Sequence, residues 1–139
     1  MGCDLCVFVP AQEDHDSAMS YSTFDGLRAY IASLYLQEHK EDIEPNMVGI
    51  FNYSHLQDLL KKYMNEYESG ISFARVLYEW LNHSDCDGEY WYDECKDIAI
   101  VLEHYLPKFS EDVYYKGFVE SLIETFKYAA ENKGIVVVC

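Results

Sequence analysis

The strongest constraint on this chain lies at its two ends. Residues 3 to 9, CDLCVFV, form an apolar, β-prone run closed by Pro10, and the last residues, IVVVC, form another that is almost wholly β-branched. A single strand leaves a row of backbone donors and acceptors without partners, so two such runs at opposite termini are most simply satisfied by each other. A third apolar run, Met47 to Phe51, is a candidate member of the same small sheet. The fold expected is therefore α+β and mainly helical, about five helices with a sheet formed by the N- and C-terminal strands, in a single globular domain spanning 1–139.

The helices are read from apolar spacing and from their caps. After an acidic loop from Gln12 to Ser17, Ser22 or Thr23 caps a first helix with Phe24, Leu27, Ile31 and Leu34 on one face, ending near His39. Ser54 followed by Gln57 has the letters of a capping box and opens a second helix carrying Leu56, Leu59, Leu60, Tyr63, Met64 and Tyr67, which Gly70 stops. Ser72 caps a third with Phe73, Val76, Leu77, Trp80 and Leu81 inward. Asp93 caps a fourth with Cys95, Ile98, Ala99, Leu102, Tyr105 and Leu106, terminated by Pro107. Ser110 opens the longest, with Tyr115, Phe118, Leu122, Phe126 and Ala129 at helical spacing, and Lys133 and Gly134 end it.

Charge narrows the partners. The chain has 25 acidic residues against 10 basic ones, a formal net charge of −15. A field of that sign repels nucleic acid and anionic membrane and attracts cationic proteins and metal ions. No apolar run reaches membrane-spanning length, and the start MGCDLCVFVP lacks the positive segment of an export signal. The five cysteines, Cys3, Cys6, Cys86, Cys95 and Cys139, are odd in number and irregularly spaced. That pattern points to free thiols in a reducing cytoplasm rather than to a disulfide framework.

The stretch His83 to Glu94, HSDCDGEYWYDE, concentrates carboxylates and aromatic rings around one glycine. Asp87 and Gly88 signal a turn. Laid on a calcium loop, Asp85 falls at position three, Asp87 at five, Gly88 at six and Glu94 at twelve, which makes Asp85, Asp87 and Glu94 the candidate metal ligands and Ca²⁺ the candidate cofactor. Position one is His83, where a hard ion wants oxygen, and position nine is Trp91, which has no acceptor. An acidic turn between two helices spells most of the same letters. Among Tyr90, Trp91 and Tyr92, Trp91 is expected to be the ring that anchors the core, and the exposed members are candidates for partner contact with Asp85, Asp87 and Glu89.

Catalytic constellations are missing from the sequence. Its histidines, at 15, 39, 55, 83 and 104, fall at no recognised metal-ligand or nucleophile–base spacing, and no phosphate loop, nucleotide fingerprint or nucleophile elbow occurs. The expectation is a binding protein and not an enzyme.

Two segments, SYSTFDGLRAYIA (Ser20 to Ala32) and HSDCDGEYWYDEC (His83 to Cys95), carry a resemblance to a family of small bacterial immunity proteins of polymorphic toxin systems. The shared pattern is a short N-terminal strand, a Ser-Tyr-x-x-Phe helix start, and a His-Ser-Asp-x-Asp-Gly-Glu-aromatic loop leading into a helix. It covers about a third of the chain, with His83, Ser84, Asp85, Asp87, Gly88, Glu89 and Glu94 bearing most of it. The region from about Gln37 to Gly70 and the extended final helix and strand depart from it. What the resemblance implies is cytoplasmic neutralisation of a cognate toxin domain by direct binding, without catalysis; the net charge adds the expectation of an acidic binding surface and a cationic toxin domain. Second-choice contact regions are the segments Glu13 to Asp16 and Glu38 to Glu44.

Overall fold

The terminal strands pair. In the computed structural model, which describes residues 2–8, 16–45, 52–84 and 88–138, β1 (Gly2–Phe8) runs antiparallel to β4 (Ile135–Val138), with Leu5 opposite Val138 and Phe8 opposite Ile135. Two short strands complete a four-stranded sheet in the order β2-β1-β4-β3: β2 (Ser17–Ser20) on one edge and β3 (Glu89–Trp91) on the other, antiparallel to β4. The proposed strand Met47 to Phe51 lies outside the described residues.

Five α-helices are described: α1 (Tyr21–Glu38), α2 (Tyr53–Leu60), α3 (Phe73–Asn82), α4 (Tyr92–Tyr105) and α5 (Val113–Glu131). No described helix is long and apolar enough to cross a membrane. The chain divides into two compact units, one of Met1–Met19 with Ser84–Cys139 and the other of Ser20–His83.

In the first unit the register of the sheet decides what faces inward. Side chains alternate along a strand, and cross-strand partners share a face. Leu5, Val136, Val138 and Tyr90 are buried on one face, against which α4 and α5 pack, and the Tyr90 ring meets Phe126 edge-on at 5.2 Å. Cys6, Phe8, Ile135, Val137, Glu89 and Trp91 take the other. Ser17, expected in a solvated loop, is buried in β2, because its hydroxyl reaches the Ser121 carbonyl at 3.0 Å, the Ser121 hydroxyl at 2.8 Å and the Thr125 hydroxyl at 2.5 Å.

The second unit is organised on α1, which is buried on nearly every side rather than along one stripe. Its cap is Ser20, not Ser22 or Thr23, with Oγ accepting from the Thr23 amide at 3.1 Å. Arg28 is 1% exposed and ties the end of α3 to α1: Nη1 donates to the carbonyls of Trp80 (2.8 Å) and His83 (2.9 Å), and Nη2 to Asp25 Oδ1 (2.8 Å). A cation there complements the negative end of the α3 dipole, and at Trp80 it adds to the bond that this carbonyl accepts from the His83 amide at 3.2 Å. Its guanidinium also stacks over Phe24 at 4.4 Å.

Helix ends show where local signals were overruled. Ser72 caps α3 as expected, accepting from the Arg75 amide at 3.3 Å. The Ser54–Gln57 capping box does not form, because α2 begins at Tyr53 and Gln57 donates across to the Tyr78 carbonyl instead. That helix also stops at Leu60, continuing only as a 3₁₀ turn over Lys61–Tyr63, so Tyr67 is exposed rather than inward. Trp91 and Asp112, not Asp93 and Ser110, hold the cap positions of α4 and α5. Both long helices close in Schellman geometry with a lysine, not glycine, in the left-handed position: Lys40 (φ 67°) after α1 and Lys133 (φ 53°) after α5. Glu41 N donates to Leu36 O at 3.1 Å, and Gly134 N to Ala129 O at 2.8 Å.

Candidate functional site: the corner between β3 and α4

Of the stretch His83 to Glu94, Asp85, Cys86 and Asp87 lie outside the described residues. The remainder is built from both directions. At its start the His83 carbonyl is held by Arg28. From Gly88 onward the backbone belongs to the sheet: buried Gly88 accepts from the Val138 amide at 2.8 Å, and Glu89, Tyr90 and Trp91 lie opposite Val137, Val136 and Ile135. Gly88 therefore leads into a strand, not directly into a helix.

That strand corrects the expectation for the aromatic cluster. Tyr90 is the core ring, 0% exposed, whereas Trp91 is 59% exposed and Tyr92 41%. Trp91 is larger and more apolar, but parity along β3 decides: whichever residue lies opposite buried Val136 points inward, and its neighbours point out. Tyr90 is accordingly withdrawn as a partner contact, while Glu89, Trp91 and Tyr92 remain accessible.

The corner is stiffened from within. The Cys95 thiol donates to the Tyr90 carbonyl across 3.4 Å. Burial, reinforced by the Glu94 carboxylate, pushes this thiol up to about 12, which leaves it protonated and unreactive at neutral pH. Asp93 and Glu94 occupy the first turn of α4, where negative charge complements the positive end of the helix dipole, and Asp93 Oδ1 accepts from the Glu94 amide at 2.9 Å. Burial raises the Asp97 carboxyl one turn further on.

Among the described residues no cluster of three or more His, Cys, Asp or Glu is placed to hold a metal ion. Of the three candidate ligands only Glu94 is described, partly buried in the first turn of α4. A groove of about 400 Å³ between α4 and α5 is lined by Ala99, Ile100 and Ala130 with Lys96, Lys127, Glu103 and Glu131 around them. Lys127 Nζ lies 3.5 Å from Glu103 Oε1. These side chains include no histidine and no nucleophilic hydroxyl or thiol.

Of Glu13 to Asp16 only Asp16 is described, exposed, with Oδ1 accepting from the Val7 amide at 2.9 Å. In Glu38 to Glu44, Glu41 pairs with Lys62 at 2.7 Å. One accessible residue that sequence reading did not single out is Phe8, 56% exposed beside Ile135. Its signal was the alternation Asp4, Cys6, Phe8 within β1, which puts the ring on the same face as an aspartate.

Compared with protein-family models, with curated proteins and with solved structures, the chain matches none of them.

Proposed function

We propose that this chain is a cytoplasmic immunity protein that binds a cationic toxin domain and neutralises it by occupying its working surface, without catalysis. What carries the reading is the β3–α4 corner, where Trp91 and Tyr92 stand exposed beside the carboxylates Glu89 and Asp93 on a chain of net charge −15. Toxin domains that act on nucleic acid need a basic cleft to hold phosphates, and an acidic face competes for that cleft. Charge raises the encounter rate, while a few desolvated aromatic anchors set the residence time. In sequence, Asp85 and Asp87 add two more carboxylates just before Glu89.

The test is association with the toxin domain encoded beside this gene. The association rate should fall as salt rises, and Asp85→Lys with Asp87→Lys should weaken protection in cells while the domain stays folded. Full protection by the folded double variant refutes the role of these two carboxylates. A wild-type chain that does not bind refutes the immunity reading.

One local feature favours a second reading, calcium binding by the 83–94 loop. Glu94, at position twelve, stands in the first turn of the helix that follows the loop, the place where a calcium loop supplies its bidentate carboxylate. Titration calorimetry with CaCl₂ decides it: an isotherm that Asp87→Asn abolishes supports calcium, and the absence of heat with the wild type removes it.

A further inference from the structure

We infer that the outer face of the sheet, centred on the row Phe8, Ile135 and Trp91, is the docking surface for a basic protein partner; the assignment rests on the toxin-binding reading and moves its apolar centre onto the sheet. The register carries it. Phe8 and Trp91 both lie opposite Ile135, so three strands bring three large apolar side chains into one line, with Cys6, Val137 and Glu89 in the next row. Adjacent strands are about 4.8 Å apart, so the two exposed rings flank Ile135 within the reach of one small interface core. These residues come from positions 8, 91 and 135, and only the sheet makes them neighbours.

Core packing does not account for this row, because α4 and α5 fill the opposite face. An antiparallel sheet with one solvated face ordinarily turns polar side chains outward. Here the two most exposed members of the row are aromatic, 56% and 59% exposed, and rings of this kind dominate interface hot spots. The rim selects the partner. Exposed Asp4 lies on the same face of β1 as Phe8, Glu89 lies on the same face of β3 as Trp91, and exposed Asp93 follows at the start of α4. No lysine or arginine occurs in β1, β3 or β4. A second copy docked through this face about a two-fold axis would set the same acidic rim against itself, on chains that each carry −15. A basic surface offering an apolar anchor meets both requirements.

The experiment uses the full chain, an inactivated form of the adjacent toxin domain as the probe, and the variants Phe8→Ser, Trp91→Ser and their combination. Each single variant should weaken binding about tenfold or more, and the pair more than either, with unfolding midpoints near the wild-type value. Tyr114→Ser, exposed at the start of α5, should bind as the wild type does. A folded double variant that binds within about twofold of the wild type overturns the sheet-face assignment and leaves the immunity reading standing. A wild-type chain that binds no toxin overturns both. Sedimentation as a dimer that the double variant abolishes gives the face to a second copy and overturns the proposed occupant.

Discussion

Arg28→Ala is the most informative single perturbation of this molecule. The guanidinium is buried and donates to Asp25 Oδ1, Trp80 O and His83 O, at 2.8 to 2.9 Å. Truncation strands Asp25, itself 7% exposed, as a carboxylate without its cation, and takes a donor from two carbonyls at the end of α3. Breaking one side of a buried ion pair costs about 3 to 5 kcal/mol, mainly because the charge left behind cannot be solvated. Natural domains have about 5 to 15 kcal/mol in total, so this one change should remove about a fifth or more of the stability. Urea unfolding followed by circular dichroism measures it, and hydrogen exchange locates it in α1 and α3. Arg28→Lys tests the geometry separately: an ammonium keeps the charge but not the planar fork, so it should recover only part of the loss. If Arg28→Ala costs less than about 1 kcal/mol, the hydrogen bonds do not anchor α3 and the argument for a fixed start to the His83 stretch fails.

Three further outcomes follow from the geometry. Tyr90→Ala should destabilise by about 3 to 5 kcal/mol, whereas Trp91→Ala should stay within about 0.5 kcal/mol; equal effects in chemical denaturation would refute the inward–outward assignment along β3. Lys133→Gly should stabilise by about 0.5 to 1 kcal/mol, since the residue sits at φ 53° where glycine has no steric cost, and a lower melting temperature would contradict the Schellman geometry. The Cys95 thiol titrates near 9 ordinarily and near 12 when folded, so the unfolded chain gives up its proton first and stability should fall from pH 9 towards 12. The slope between these values is about 1.4 kcal/mol per pH unit, it should be absent from Cys95→Ala and so appear in full in the difference between wild type and variant, and an unchanged slope in the variant would reject the buried thiol.

Some of this architecture is decided within short segments. The β-branched run Ile135 to Val138 and the run ending at Phe8 have no economical partner but each other, and they pair. The helical segments are readable because apolar residues at three- and four-residue spacing have one consistent interpretation, and Ser72 caps α3 because its side chain bonds an amide only three residues away. What tertiary structure decided involves partners distant in sequence. Local letters make Glu89 to Trp91 a loop ahead of a capped helix, but the Val138 amide and the pairing with Ile135 to Val137 draw the segment into a strand, and strand parity then buries Tyr90 and exposes the larger Trp91. Gln57 has capping-box spacing from Ser54 yet bonds Tyr78, since a third helix offers its carbonyl. Arg28, unremarkable among the polar residues of α1, is buried where Trp80 and His83, more than fifty residues away, present carbonyls that accept from its guanidinium. Periodicity and caps are short-range quantities and can be read from the letters; the face a side chain takes in a sheet, and the partner a buried polar group finds, depend on register and packing that exist only once the chain has closed on itself.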